Sequence, residues 1–342
     1  MNCNQRKVSS GLQYTVCADG KSCEISGIGT CTDEDIVIPR EMDGLTVTGI
    51  AKKAFYSQRH IISVTVPETV TRIDSFAFQL CMGMKRIYLP KSVTQIGVYA
   101  FLLCKELERA ELPPLAVLER GLFFGCYALA EAVFPETVTK ICMGAFFGCK
   151  NLAQIEIPPS VAVVEPLAFH LCHRFRSVTV ASTLTSIGIG AFSSENMEQI
   201  RVSEKNPAYT SLDGSLYSKD MSSLLQYACG QPKNVFVLPE QVRSIAPLSC
   251  KSSKSLTRVV MPDSLTQIGD AAFRDCTQLQ SVCLGASVTQ IGDRAFADCE
   301  SLTEIRYNGT MSQWQNLAKG SDWDCDTGNY TVICTDGTIS KK

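Results

Sequence analysis

The feature that most constrains the fold is a phenylalanine that returns about every 23 residues. It occurs at Phe55, Phe78, Phe101, Phe123, Phe146, Phe169, Phe192, Phe273 and Phe296. The steps are 22 or 23 residues as far as Phe192, and the last pair is again 23 apart. A fixed period of this length is typical of solenoids, in which each repeat forms one coil that packs on its neighbours. The sequence therefore predicts about ten stacked coils.

Each repeat contains two short extended segments and one tight turn. The pattern is I-G-x-x-A-F-x-x-C-x-x-L-x-x-I-x-L-P-x-x-V-T-x-I, nearly intact from Ile268 to Ile291. The I-x-L-P segment alternates with period two, like a half-buried strand that proline ends, and V-T-x-I is β-branched, as short strands are. The segment A-F-x-x-C-x-x-L spaces apolar residues by three, which favours a helical or 3₁₀ turn. We predict an α/β repeat solenoid with a parallel β-sheet, short second strands and short helical or 3₁₀ turns.

Irregular segments divide the repeats. Asp19-Gly20 is a turn signal between two extended segments, and Asp213-Gly214 is another. We expect one continuous sheet from about Ile36 to Ile305, broken by a hairpin that leaves the solenoid wall near Leu212 to Tyr227. The predicted parts are a capping hairpin at 1–32, leucine-rich repeats at 33–205, an irregular hairpin-bearing insertion at 206–234, repeats at 235–306 and a C-terminal cap at 307–342.

Composition narrows the function classes. Hydrophobic residues make up 45% and charged residues 19%, which is ample for a buried core. The formal net charge of -2 and the pI near 6.0 give no electrostatic reason to expect nucleic acid as a partner. No apolar run approaches the roughly 20 residues of a membrane helix, so we expect no membrane insertion. The first residues show no apolar stretch of the kind a secretory signal peptide carries.

Seven of the 17 cysteines share one position in the repeat, three residues after the phenylalanine. They are Cys81, Cys104, Cys126, Cys149, Cys172, Cys276 and Cys299. We expect buried free thiols that serve as small apolar fillers, because parallel Cβ vectors in stacked coils would strain a disulfide. Cys17 and Cys23 could face each other across the N-terminal hairpin, and a bridge there stays open.

Few residues suggest chemistry. Cys172 lies within an H-x-x-H segment, His170 to His173, but we expect both histidines to be solvent-exposed loop residues and not zinc ligands. A third histidine is His60, and no nucleophile has a placed base partner. A series of alternate carboxylates resembles the start of a calcium loop but lacks its glycine and its final glutamate; it comprises Asp322, Asp324 and Asp326. We therefore predict no cofactor, no metal and no catalysis.

The outward positions of the predicted strands are mostly polar and mixed in sign. One strand presents Gln154 beside Glu156. Such a face commonly binds protein, whereas a merely solvated sheet is the alternative. The candidate partner-binding face consists of Arg86, Tyr88, Arg109, Glu111, Glu156, Arg258, Glu304 and Arg306.

The repeat resembles one known class, the BspA-like bacterial leucine-rich repeats, whose unit is C-x-x-L-x-x-I-x-L-P-x-S-L/V-T-x-I-G-x-x-A-F. The match covers most of Asp33 to Tyr307. The segment Asn206 to Tyr217 resembles an irregular unit of that class, and the segment from Asn308 resembles a terminal module. The resemblance implies a right-handed leucine-rich-repeat superhelix on surface-attached or secreted bacterial proteins that bind host matrix proteins or neighbouring cells. It implies no enzyme.

The function predicted is therefore a non-enzymatic protein-binding or adhesion module that presents a sheet face to a protein partner. The chain is expected to be a monomer at the bacterial cell surface or secreted. Two alternatives remain open: a structural spacer or scaffold, and a carbohydrate-binding wall protein. A sugar site should show clustered exposed aromatic side chains, and the predicted strand face offers little beyond Tyr88.

Overall fold

The computed structural model describes residues 7–153 and 155–341. Their contacts divide the chain into two compact units. The N-terminal unit extends to Phe175 and also contains Ser186–Ala191, and the C-terminal unit comprises Arg176–Thr185 and the residues from Phe192 onward. Residues 1–6 of the predicted cap and Gln154 of the predicted strand face lie outside the described residues. The five-part division drawn from the repeats is a different partition and stays a prediction.

In the N-terminal unit, most coils contribute one strand to each of two ladders. We call the ladder that contains the strands of the I-x-L-P segments the front ladder, and the ladder that contains the strands of the V-T-x-I segments the back ladder. The front strands form two parallel sheets: Asp35–Val37, Ser63–Thr65 and Arg86–Tyr88, then Arg109–Glu111 and Glu131–Val133. The back strands form two sheets: Gln13–Val16, Ser22–Gly27, Glu41–Met42, Leu45–Ile50, Arg72–Ile73 and Gln95–Ile96, then Val117–Leu118, Lys140–Ile141, Val163–Val164 and Ser186–Ile187. The first two back strands are an antiparallel hairpin, and Ser22–Gly27 pairs parallel with Leu45–Ile50.

The C-terminal unit has the same two ladders. Its front strands are Ser177–Val180 and Gln199–Val202 in one sheet, and Val235–Val237, Arg258–Val260, Ser281–Leu284, Glu304–Tyr307, Thr331–Cys334 and Gly337–Ser340 in another. Its back strands are Tyr209–Leu212, Ser215–Ser218, Ser223–Gln226, Ser244–Ile245, Gln267–Ile268, Gln290–Ile291 and Ala318–Lys319. One short helix, Met311–Asn316, begins at Thr310, whose hydroxyl accepts the Gln313 N–H.

Two expectations about continuity are wrong. The front ladder is not continuous, since Arg86–Tyr88 and Arg109–Glu111 belong to different sheets. The hairpin Tyr209–Leu212 and Ser215–Ser218 does not leave the wall, because Ser223–Gln226 joins it to the parallel back ladder.

The solenoid has about 14 turns and not about ten. The terminal segments account for part of this difference, because Thr331–Cys334 pairs parallel with the last regular front strand.

The third side of each coil is a turn and not a helix, which corrects the prediction made from the spacing of three. Within the described residues the only helix is Met311–Asn316. The turn of one coil holds Tyr99 and Leu103 at φ 57° and 59°, so a right-handed helical turn cannot form. Alternate N–H groups of the turn bond to the neighbouring coil, as when Phe101 donates to Leu122 O at 3.0 Å, whereas Leu102 donates to Tyr99 O within the turn. Backbone pairing therefore runs along all three sides.

Gly148 gives a direct test of these left-handed positions. Its φ is 72°, and a Cβ there would meet no heavy atom closer than 3.9 Å. Gly148→Ala should therefore lower the free energy of unfolding by about 1 kcal/mol through backbone strain alone. Urea denaturation followed by circular dichroism measures it. Gly148→Asn is the control, because asparagine tolerates this conformation better. Equal stability of wild type and Gly148→Ala would contradict the turn geometry.

Phenylalanine rings form the centre of each unit. In the N-terminal unit, fully buried rings stack coil on coil with centroids 5.1–5.5 Å apart; they are Phe55, Phe78, Phe101, Phe123, Phe146 and Phe169. In the C-terminal unit Phe273 stacks on Phe296 at 5.2 Å. Trp323 meets Phe296 edge-on at 6.1 Å. The cap thus ends the stack with a tryptophan ring packed edge-on against the last phenylalanine.

The repeated cysteines do more than fill space. Each buried thiol donates to a backbone carbonyl of the preceding coil: Cys104 Sγ lies 3.1 Å from Phe78 O, and Cys299 Sγ 3.2 Å from Phe273 O. The same contact is made by Cys81, Cys126, Cys149, Cys172 and Cys276. Burial raises the pKa of Cys81 and of Cys172 to about 12. These thiols are therefore protonated donors at neutral pH.

Candidate functional site

The front strands of the N-terminal unit place predicted face residues in adjacent columns. Ser63 pairs with Arg86, and Thr65 pairs with Tyr88. In the next front sheet Arg109 lies opposite Glu131, and Glu111 opposite Val133. Alternation along the strands exposes Arg86, Tyr88, Arg109 and Glu111 while Ile87 and Ala110 are buried. The sequence therefore predicted which positions face outward.

One cavity of this face is basic and contains Tyr88. Its volume is about 540 Å³, and its lining consists of Lys7, Asp35, Val37, Ile62, Ser63, Lys85, Arg86 and Tyr88. Its single carboxylate, Asp35, accepts a hydrogen bond from the Ser63 hydroxyl. The cavity contains three cations, Lys7, Lys85 and Arg86, and in the described part of the chain no carboxylate lies within 4 Å of their charged nitrogen atoms. This cavity combines an exposed aromatic ring with unneutralised positive charge.

A second cavity adjoins the first, where the front ladder is interrupted. It measures about 380 Å³ and is lined by Arg86, Ile87, Tyr88, Leu89, Glu108, Arg109 and Glu111. Arg86 and Tyr88 therefore line both cavities. The structure brings together four predicted residues here, and they form a cluster that we call the Tyr88 cluster: Arg86, Tyr88, Arg109 and Glu111.

Glu156 lies elsewhere on the same unit. The residues around it, Ile155–Ile157, do not form a strand, which corrects the predicted alternation in this coil. Its side chain is exposed and lines a third cavity together with Glu131 and Val133. Glu156 therefore does not line the cavities of the Tyr88 cluster, although Glu131 and Val133 of its own cavity lie opposite Arg109 and Glu111.

The remaining predicted residues lie on the C-terminal unit. The Arg258 guanidinium donates to Cys283 Sγ at 3.5 Å. Glu304 is half-buried and pairs with Arg306 on its own strand at 2.5 Å, which raises the pKa of Arg306. Glu304 is therefore not a free charge. Sequence reasoning undervalued an apolar patch here, since Val235 is 48% exposed and Val237 62% exposed. The signal was present, because valine occupies both outward positions of that strand.

The histidine prediction is wrong in part. His170 is buried, and its ring lies 5.3 Å from that of Phe147. It occupies the place after the repeated phenylalanine, where Phe124 and Phe147 stack at 4.5 Å, so it extends an aromatic column. His173 is half-buried. His170 is therefore not a solvent-exposed loop residue, whereas His173 lies in a turn and keeps part of its surface exposed.

The carboxylates of the calcium-like loop are used by the C-terminal cap. Asp324 accepts the Tyr330 hydroxyl at 2.7 Å and pairs with Lys341 at 3.3 Å. Asp322 lies 3.8 Å from Arg294. Within residues 7–153 and 155–341, no three His, Cys, Asp or Glu side chains converge as a metal site would require. No helix of that part of the chain is long and apolar enough to cross a membrane.

The repeats match a known protein family. The BspA type leucine rich repeat region matches in 6 copies, over residues 31–119, 116–224 and 226–318. The chain belongs to the BspA-type leucine-rich-repeat family. No curated protein matches it at a significant level.

Two solved structures support the fold. A leucine rich cell surface protein of Faecalibacterium prausnitzii is 24% identical, with a TM-score of 0.62 over 92% of this chain and 98% of that chain. The pneumococcal vaccine antigen PcpA is 18% identical, with a TM-score of 0.64 over 96% of this chain and 87% of that chain. At these identities the likeness shows the fold, a β-solenoid of leucine-rich repeats. The resemblance stated from the repeat pattern is confirmed.

Proposed function

We propose that this BspA-type chain is a non-enzymatic protein-binding module of the bacterial cell surface and that its front strands contact the partner. The observation that carries the proposal is the Tyr88 cluster. Arg86 and Tyr88 line two adjoining cavities, and arginine and tyrosine are among the side chains that most often dominate binding energy in protein interfaces. The family match and the cell-surface relative support the surface location.

The alternatives have less support. A carbohydrate-binding wall protein would need several exposed aromatic rings in one cavity, and Tyr88 is the only exposed aromatic residue on the described front strands. A spacer or scaffold would need no cavity with unneutralised charge, whereas the basic cavity has three cations. Partner binding accounts for both features.

The Tyr88 cluster predicts the outcome of one capture experiment. The recombinant chain is used to capture partners from host matrix proteins and from bacterial lysate, and affinity is then measured for the purified partner. Arg86→Ala with Tyr88→Ala should weaken binding at least about tenfold, as the loss of two hot-spot side chains does. The matched control is Tyr127→Ala with Lys150→Ala, which removes an exposed aromatic and cation pair from the turn side. Equal weakening by both variants would contradict the assignment.

A further inference from the structure

A groove on the front side of the N-terminal unit has an unusual lining. It measures about 640 Å³, within the range of ligand sites. Of its eleven lining residues eight are apolar, and the other three are glutamates. The apolar residues are Ala130, Ala132, Val133, Phe134, Ala153, Ile157, Pro158 and Pro159, and the glutamates are Glu131, Glu136 and Glu156. We call this the glutamate groove.

One wall of the groove is the open edge of a sheet. Glu131–Val133 pairs with Arg109–Glu111 on one side, and Leu112 N–H donates to Val133 O at 3.2 Å. On the other side, among the described residues, no backbone hydrogen bond joins 130–134 to 155–157. An extended edge of this kind offers unpaired N–H and C=O groups to any chain that lies along it.

The groove also has a clear charge preference. Arg109 is the one cation paired with a groove glutamate in the described part of the chain, at 3.5 Å from Glu131. Both side chains of this pair are more than half exposed, so the pair contributes little and leaves Glu131 available. Glu136 and Glu156 are exposed. Three carboxylates beside an apolar floor favour an occupant that carries both positive charge and apolar side chains.

We propose that the glutamate groove binds an extended, basic segment of the partner protein by strand addition. The segment pairs its backbone with Glu131–Phe134, places apolar side chains against Val133 and Ile157, and directs Lys or Arg toward the glutamates. Strand addition suits this site because main-chain hydrogen bonds supply affinity and alternate side chains supply specificity. The inference rests on the proposed protein-binding function and adds the class of partner segment and a second contact region, which adjoins the Tyr88 cluster through the Arg109–Glu131 pair.

A defined peptide tests the groove in the full chain. The probe is a labelled peptide of about ten alternating Val and Lys residues, which carries the required charge and an extended backbone. Its affinity is measured by fluorescence anisotropy. Glu131→Gln with Glu136→Gln and Glu156→Gln should weaken binding about tenfold or more and reduce its salt dependence. The matched control is Glu34→Gln with Glu68→Gln and Glu106→Gln, three exposed glutamates of the same unit that do not line the groove.

Two further probes separate strand addition from charge alone. The same peptide with N-methylated backbone amides keeps its side chains but loses half of the pairing groups, and it should bind much more weakly. Spermine has charge without a backbone and should not displace the peptide at equal charge. Hydrogen exchange should show protection at 131–134 on binding. Equal loss in the two glutamine variants, full binding of the methylated peptide, or no binding at all would each overturn the proposal.

These outcomes are independent of the test of the Tyr88 cluster. If the glutamine variant captures the partner as wild type does, while Arg86→Ala with Tyr88→Ala does not, the proposed function stands and the groove assignment fails. If both variants capture the partner normally, the front-strand assignment fails as a whole. Wild-type peptide binding that only the groove glutamates influence supports the inference directly.

Discussion

Replacing Phe101 by alanine should destabilise the N-terminal unit by about 3–5 kcal/mol, the range for a fully buried phenylalanine. The Phe101 ring has no exposed surface and stacks on Phe78 at 5.5 Å and on Phe123 at 5.2 Å. Its removal leaves a cavity between two rings that the coil spacing holds apart. Each coil contacts mainly its neighbours, so the loss falls on the interfaces with the coils before and after it.

Urea denaturation of the full chain measures this effect. The expected result is a lower midpoint for the N-terminal unit, with hydrogen exchange accelerated first around the altered coil. Phe101→Leu is the control, because it retains most of the apolar volume and should cost about 1.5 kcal/mol or less. If Phe101→Ala and Phe101→Leu had similar stability, the stacked column would not be the main source of stability.

The period of the sequence was enough to predict the stack of coils. Phe78, Phe101 and Phe146 occupy one position of the repeat. A coil that buries one of these rings therefore buries all of them in the same way, and stacking the coils places the rings in one column. The same register predicted the column of cysteines and the outward side chains of Arg86 and Tyr88. These are consequences of repetition, which multiplies a weak local signal over many coils.

The turn conformation could not be predicted in this way. Apolar residues spaced by three point inward both in a helical turn and in a turn that contains left-handed residues. What separates them is the hydrogen-bond partner of groups such as Phe101 N–H, which is in the next coil and not in the same turn. The sequence of a single repeat does not indicate that partner, so a positive φ at residues such as Leu103 could not be predicted from it.

The glutamate groove was also beyond sequence reasoning. Ile155-Glu156-Ile157-Pro158 is one of the most regular copies of the strand motif, and nothing in it indicates that the strand is absent. Pairing in a solenoid depends on the spacing between whole coils, and local residues do not encode that spacing. Glu156 is exposed, as predicted, but it does not lie on a strand of the sheet, as the motif had indicated.

The cysteine column predicts an unusual sensitivity to alkaline pH. Unfolded thiols release their protons near pH 9, whereas burial raises the pKa of Cys81 and Cys172 to about 12. Below about pH 9 both states hold these protons, so the stabilisation is fully present. Above it the unfolded state binds fewer protons than the native state, and the free energy of unfolding falls as pH rises toward the folded pKa. Each such thiol then lowers the free energy of unfolding by about 1.4 kcal/mol per pH unit.

The N-terminal unit contains five of these thiols, so it should lose its native structure between about pH 9 and pH 11. Urea denaturation at a series of pH values measures the slope. Cys81→Ser with Cys172→Ser is the decisive variant, because serine still donates to Phe55 O and Phe146 O but does not ionise in this range. The free energy of unfolding of this variant should decline with pH less steeply than that of wild type, because about two fewer protons are released on unfolding. A difference between the two proteins that stays constant from pH 7 to pH 11 would show that the buried thiols do not control alkaline unfolding.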